Sequence, residues 1–304
     1  MAYGYANVSA TELANLALDK PLFGANMIPV EPTLEKWGRT GTTGDTDYTD
    51  SDYPIHRLYD GEGDLISQPN SSFNAYYVIF DFGITVDVDF CAIAPGHNLG
   101  TANITGLALE FDQNQNGNFS AVDSCDLAAS LPLLDDSRIM QLDLDPGGAV
   151  GTPQRFSDVR YCRLKMTHGS TFLPQLTEVI IGARLQMPRW TGYGFNPDNL
   201  TDLVDVGGPT KGGVIDQVIM AQNQFVLDAE WTLKQSEVGD VRTWWKNSRG
   251  SFVWCWQPSS APDSWNLMSR EGSNLVLPRE GFQKARFSIK AVEQGPEGAY
   301  LENE

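Results

Sequence analysis

Apolar and polar positions alternate with a period of two in a series of short stretches along this chain. Val78, Phe80 and Phe82 share one face, and Val86, Val88 and Phe90 alternate with Asp87 and Asp89. Leu107, Leu109 and Phe111 alternate with Ala108 and Glu110, and Cys162, Leu164 and Met166 with Arg163 and Lys165. Val179-Ile180-Ile181 closes this set. A period of two sends successive side chains to opposite faces, so these stretches predict strands, and Val86, Val88 and Phe90 with Asp87 and Asp89 give one buried and one wet face. Turn-rich loops join the stretches, which predicts a sandwich.

Beyond Pro188 the pattern changes. Residues 188–214 are rich in Gly, Pro, Asn and Asp. Phe225, Leu227, Ala229, Trp231 and Leu233 then form the cleanest alternation in the chain. A short helix is predicted next, with Ser236 as N-cap, Val238, Val241 and Trp245 on one face, and Gly250 just past its end. Strands follow around 252–256 and 285–292, and Trp244, Trp245, Trp254, Trp256 and Trp265 are the expected anchors of a second core. The organisation read from this is an N-terminal arm (1–22), a β-sandwich (23–187), and a smaller C-terminal β-rich domain (188–304) with one short helix near 237–248. In the arm, Ser9 and Glu12 form a capping box ahead of Leu13, Leu16 and Leu18. The arm suits docking on a neighbouring subunit and folding back on its own domain equally.

Composition narrows the function. The chain has 304 residues, enough for two domains, and its 41% hydrophobic and 20% charged residues are those of a globular protein. A net charge of −18 opposes nucleic-acid binding, which needs clustered Lys and Arg. No apolar run is long enough for a membrane span, and the first residues lack the basic and apolar regions of a signal peptide. Cys91, Cys125, Cys162 and Cys255 form no Cys-x-x-Cys pair and read as buried free thiols, as in a reducing cytoplasm.

Four fragments in order carry a family resemblance: Asp60-Gly61, then Asp81-Phe82-Gly83, then Arg160-Tyr161-Cys162-Arg163-Leu164, then Glu178-Val179-Ile180-Ile181-Gly182. Over roughly residues 24–187 the chain resembles a discoidin-type (galactose-binding-like) jelly-roll sandwich. Ala92-Ile93-Ala94-Pro95-Gly96-His97-Asn98-Leu99 makes it similar to the version found in minor tail and tail-tip proteins of tailed bacteriophages. That resemblance implies a mainly β protein with no catalytic role. It would be a structural component of a phage tail, a minor tail, tail-tip or distal tail/baseplate protein. Its partners would be copies of itself, in a homo-oligomer, and other tail proteins. Its place would be the virion tail, assembled in the host bacterial cytoplasm. The alternative is a carbohydrate-binding module that recognises a host-surface glycan; in such relatives the contacts sit on variable loops.

The residues add three candidate sites. Asp112, Asn114, Asn116, Asn118 and Asp123 occupy alternate positions of a twelve-residue calcium-loop pattern, with Gly117 at the sharp turn. An Asn/Gly-rich tip between two strands yields the same letters, so no cofactor and a bound calcium both stand as readings. Tyr53, Tyr59 and Tyr76 are candidate stacking surfaces for a sugar ring. Gly96, His97 and Asn98 read as a structural turn rather than a catalytic group, because no second ligand or base accompanies the histidine. The chain has no Gly-x-Ser-x-Gly, phosphate-binding glycine loop or zinc-spaced His-Glu cluster, which argues against an enzyme.

Overall fold

The computed structural model describes residues 5–7, 20–29, 32, 35–39, 46–61, 65–112, 123–127, 136, 140–142, 154–191, 200–201, 204–209, 215–221, 224–248, 251–257, 265–270, 275–281 and 283–293. The first strands are β1 (Tyr5–Asn7), β2 (Leu22–Ala25), β3 (Glu35–Arg39), β4 (Phe73–Val88), β5 (Phe90–Ile93), β6 (Gly106–Asp112), β7 (Asp123–Asp126) and β8 (Met140–Leu142). They are followed by β9 (Gln154–Phe172), β10 (Val179–Gly182), β11 (Arg184–Gln186), β12 (Leu200–Thr201), β13 (Val204–Pro209), β14 (Ile215–Ala221) and β15 (Gln224–Lys234). Helix α1 (Val238–Asn247) precedes β16 (Ser251–Cys255), β17 (Trp265–Arg270), β18 (Arg279–Gly281) and β19 (Lys284–Glu293). The chain is mainly β, as its alternation predicts.

Three antiparallel sheets are stacked. The first runs β3-β4-β9-β6-β7, with β1 added beside β9, and the second runs β10-β5-β8. Val78, Phe80, Leu109 and Leu164 of the first meet Cys91, Ile93, Val179 and Ile181 of the second in one core. This is a two-sheet β-sandwich. The third sheet runs β11-β2-β16-β17-β19-β15-β12, with β18 beside β19; β13 and β14 pair as a separate hairpin.

Strands β5 and β10 of the second sheet are buried on both faces. Its other side, Phe90, Ala92 and Ile180, packs with Ala94 on Leu22, Val253, Cys255 and Leu267 of the third sheet. The contact is close because Gly24 lies under the Phe90 ring, where any Cβ would overlap it. The run from Phe90 to Ala94 is therefore apolar at every position, the pattern of a strand covered on both sides.

Three expectations are corrected. The alternation through Val86, Val88 and Phe90 is not one strand, because the chain changes sheets at Asp89. That carboxylate is not on a wet face: it is buried, accepts from Arg155 Nε at 3.0 Å and Nη2 at 2.9 Å, and takes the Arg184 backbone N–H at 2.7 Å. Burial raises its pKa against the pull of Arg184 and Arg155. Second, Ser236 does not cap α1. Glu237 is the N-cap residue and makes no side-chain cap; its carboxylate instead receives Arg189 and the Lys234 N–H. Trp244, not Trp245, is the fully buried tryptophan of the helix, beside Val238 and Val241. Gly250 and the Ser9–Glu12 box lie outside the described residues.

Candidate functional site

Strand direction brings the connections β3–β4, β5–β6 and β9–β10 to the same end of the sandwich. Two reciprocal backbone bonds, Ser67 N to Leu176 O at 2.7 Å and Leu176 N to Ser67 O at 3.0 Å, join the first to the third. Buried Trp37 of β3 donates its indole N–H to Ser67 Oγ at 2.9 Å, which fixes this crossing to the core. Asn98 ties in the middle connection: Nδ2 donates to Leu173 O at 2.9 Å, and Oδ1 accepts the Gln175 N–H at 2.8 Å. Such loops on a rigid sandwich are where ligand contacts are normally built.

The Gly96, His97 and Asn98 turn sits at this end. Gly96 has φ +92°, in the region that favours glycine. His97 is buried, with Nδ1 2.9 Å from Asp136 Oδ1. The Asp136 carboxylate also accepts the N–H groups of Gly100 at 2.7 Å and Thr101 at 2.8 Å, and the Thr101 hydroxyl. Burial pushes its pKa up, but the Thr101 and Gly100 hydrogen bonds and the His97 charge outweigh that and hold it low.

The three candidate tyrosines part company. Tyr53 is 37% exposed, with the Arg57 guanidinium 5.8 Å from its ring centroid. Tyr59 and Tyr76 are 7% and 0% exposed, so their assignment as sugar platforms is corrected. Each packs its ring into the sandwich core and spends its hydroxyl internally, on the Glu35 carboxylate and the Ser71 carbonyl respectively. Burial pushes the Tyr76 phenol up to about 12.

Beside Tyr53 the side chains form a polar chain that sequence reasoning missed. Gln175 Nε2 donates to Gln68 Oε1 at 3.0 Å, and Gln68 Nε2 donates to Asp50 Oδ2 at 3.3 Å. Asp50 also accepts the Asp52 N–H at 3.0 Å, and its carbonyl receives the Tyr53 N–H at 3.2 Å. Arg57 is aimed by its bond to Ile66 O at 3.1 Å. The result is an open aromatic ring beside planar carboxylate, amide and guanidinium groups. That set can stack on the apolar face of a sugar and hydrogen-bond its hydroxyls. These residues come from two connections far apart in the chain, and no local spacing announces them.

Asp112 and Asp123, which bound the calcium pattern, lie at the opposite end of the sandwich. Asp112 ends β6 and is buried, and Asp123 begins β7 with its side chain outside the described set. Asn114, Asn116 and Asn118 lie outside the described residues. Among the described residues no group of three potential metal ligands gathers.

No family model matches the chain. No curated protein matches it either. Solved structures overlap about half of it. Chitosan-binding module 1 of a chitosanase/glucanase from Paenibacillus sp. IK-5 is 11% identical, covering 52% of this chain and 98% of that one, with a TM-score of 0.36. CpGH89CBM32-6 from Clostridium perfringens is 12% identical, covering 51% and 97%, with a TM-score of 0.32. CpGH89CBM32-5 from the same organism, in complex with GalNAc-beta-1,3-galactose, is 13% identical, covering 49% and 95%, with a TM-score of 0.31.

Proposed function

We propose that this chain is a non-catalytic carbohydrate-binding protein whose sandwich recognises a glycan through the Tyr53 end. The observation that carries the reading is the exposed Tyr53 ring set among Arg57, Asp50 and Gln68 on loops pinned to the core. The ring supplies the platform, and the pinned loops keep the polar groups in place before ligand arrives, which lowers the entropy cost of binding. A glycan array probed with the whole chain is expected to give signal that drops in Tyr53→Ala. Silence from the unaltered chain on every glycan sinks the reading.

A second reading places this binder in an assembled particle, as a tail component of a phage made of several copies with other tail proteins. One observation favours it. The run that resembles tail proteins, residues 92–99, supplies Ala92 and Ala94 to the layer joining the sandwich to the third sheet. Small residues there let two sheets approach and make one stiff building block, as an assembly subunit requires. Cryo-electron microscopy of particles from the source is expected to show the chain in tail density; particles lacking it refute this role.

A further inference from the structure

We propose, resting on the glycan-binding reading of the Tyr53 end, that Asn98 is a positioning residue for that site. It acts through Gln175 and Gln68 to place Asp50 and Tyr53. Asn98 grips the β9–β10 connection three times. Its Nδ2 donates to Leu173 O at 2.9 Å, its Oδ1 accepts the Gln175 N–H at 2.8 Å, and its backbone N–H donates to Gln175 O at 3.2 Å. Both backbone polar groups of Gln175 are thus held by one residue 77 positions earlier.

From Gln175 the side chains run in one direction. Gln175 Nε2 donates to Gln68 Oε1, and Gln68 Nε2 donates to Asp50 Oδ2. A carboxylate only accepts, so Asp50 dictates which way the Gln68 amide faces, and Gln68 in turn dictates the facing of Gln175. Gln68 is buried, and its backbone is engaged as well. Its N–H donates to Tyr53 O at 3.4 Å, and its carbonyl accepts the Asp50 N–H at 3.1 Å. Any shift of Gln68 is therefore passed to the ring-bearing residue and to the carboxylate together. The turn that carries Asn98 is itself braced. Besides its carboxylate contacts with His97, Gly100 and Thr101, Asp136 accepts the Gly96 N–H on its backbone carbonyl at 2.7 Å. The crossing of the connections does not depend on Asn98, since the paired Ser67 and Leu176 bonds remain without it. Thr177 Oγ1 adds contacts to Ala94 O at 2.9 Å and Pro95 O at 2.8 Å. What Asn98 supplies is the aim of Gln175.

The test reads an array of galactose-, glucose- and N-acetylglucosamine-terminated oligosaccharides at a series of concentrations of the whole chain. Each bound spot then gives an apparent affinity, and spots that lose signal in Tyr53→Ala define the site. At those spots Asn98→Ala is expected to weaken binding roughly three- to tenfold, the size of one polar side chain no longer held in place before ligand arrives. Gln175→Met, which keeps the side-chain length and removes its hydrogen bonds, weakens it to the same extent. The double variant binds no worse than either, because both cut one relay. A merely structural Asn98 would lower the melting temperature and add its loss of affinity to that of Gln175→Met. Additive losses, or unchanged affinity in either single variant, overturn the proposal and leave the Tyr53 reading standing. An array without Tyr53-dependent spots overturns both.

Discussion

The sandwich and the third sheet solve the burial of aromatic residues in opposite ways. The sandwich uses tyrosines whose rings enter the core while their hydroxyls reach acceptors at its edge, as Tyr59 does with Glu35 and Tyr76 with Ser71. The third sheet uses a cluster of Trp and Phe around Phe23. That ring lies 5.1 Å from Trp244, 5.6 Å from Trp231 and 5.7 Å from Phe252. Phe23 comes from β2, some two hundred residues before β15 in the chain, and β2 is paired with β16 at Phe23↔Trp254. The sandwich thus draws its core from a largely continuous segment, whereas the later sheet borrows its central ring from an early strand. The difference teaches that the two regions are not separable by a cut at one linker.

The comparison breaks most sharply at Phe23. Phe23→Ala removes a fully buried ring from the middle of the Trp cluster and is expected to cost about 3–5 kcal/mol. Tryptophan emission should report the loss first, because Trp231, Trp244 and Trp254 line that cavity. If the third sheet instead melts at its original denaturant concentration, Phe23 is a bystander.

Next in size is the contrast between Tyr59 and Tyr53. Tyr59→Ala empties a site in the sandwich core beside Phe80, 6.1 Å away, and strands the Glu35 contact, for an expected loss of about 3 kcal/mol. Tyr53→Ala should change stability by no more than about 0.5 kcal/mol, as at an ordinary surface position. Chemical denaturation of both variants is the check, and equal losses contradict the assignment of one to core and the other to surface.

A smaller effect tests how the early segment is held. Glu178 is wholly buried; Oε2 accepts the Gly61 N–H at 2.9 Å and Oε1 the Asn26 amide at 3.3 Å. Burial pushes its carboxyl from 4.5 up to about 8, aided by the nearby Asp60, while the Gly61 and Asn26 bonds oppose the shift. Between those values the folded chain holds a proton that the unfolded chain has released. Stability from this group is therefore greatest at low pH and falls as pH rises through that window, levelling near pH 8. Glu178→Gln should flatten that part of the melting-temperature profile, and an unaltered slope counts against it.

The smallest expected change concerns residues 112–123. Millimolar calcium should leave the melting curve where it is, as an Asn/Gly turn requires. A rise that disappears in Asp112→Asn would select the metal-loop reading instead.

Much of the architecture was legible because strand alternation is local. The stretches at 107–111, 162–166 and 225–233 were readable from side-chain period alone and are buried where that period puts them, whereas at 78–82 Ile79 and Asp81 on the other face are buried as well. Asp89 was not legible, because alternation continues across the residue where the chain leaves one sheet for another. Its burial depends on Arg155 and Arg184, which are distant in sequence. The candidate site was legible only in its aromatic residue types. Tyr53, Tyr59 and Tyr76 look alike in one dimension, and only the direction of each ring relative to the core separates platform from packing.

By itself the sequence determined the strand-rich class, the short helix and the order of the motifs, since these follow from backbone geometry and the period of neighbouring side chains. Tertiary structure alone decided that β2 joins the third sheet, that Gly24 admits the Phe90 ring, and that Tyr53 gains Asp50, Gln68 and Arg57 as neighbours. Those outcomes depend on pairings across long stretches of chain, whose entropy cost is met by burial of whole sheet faces rather than by any local preference.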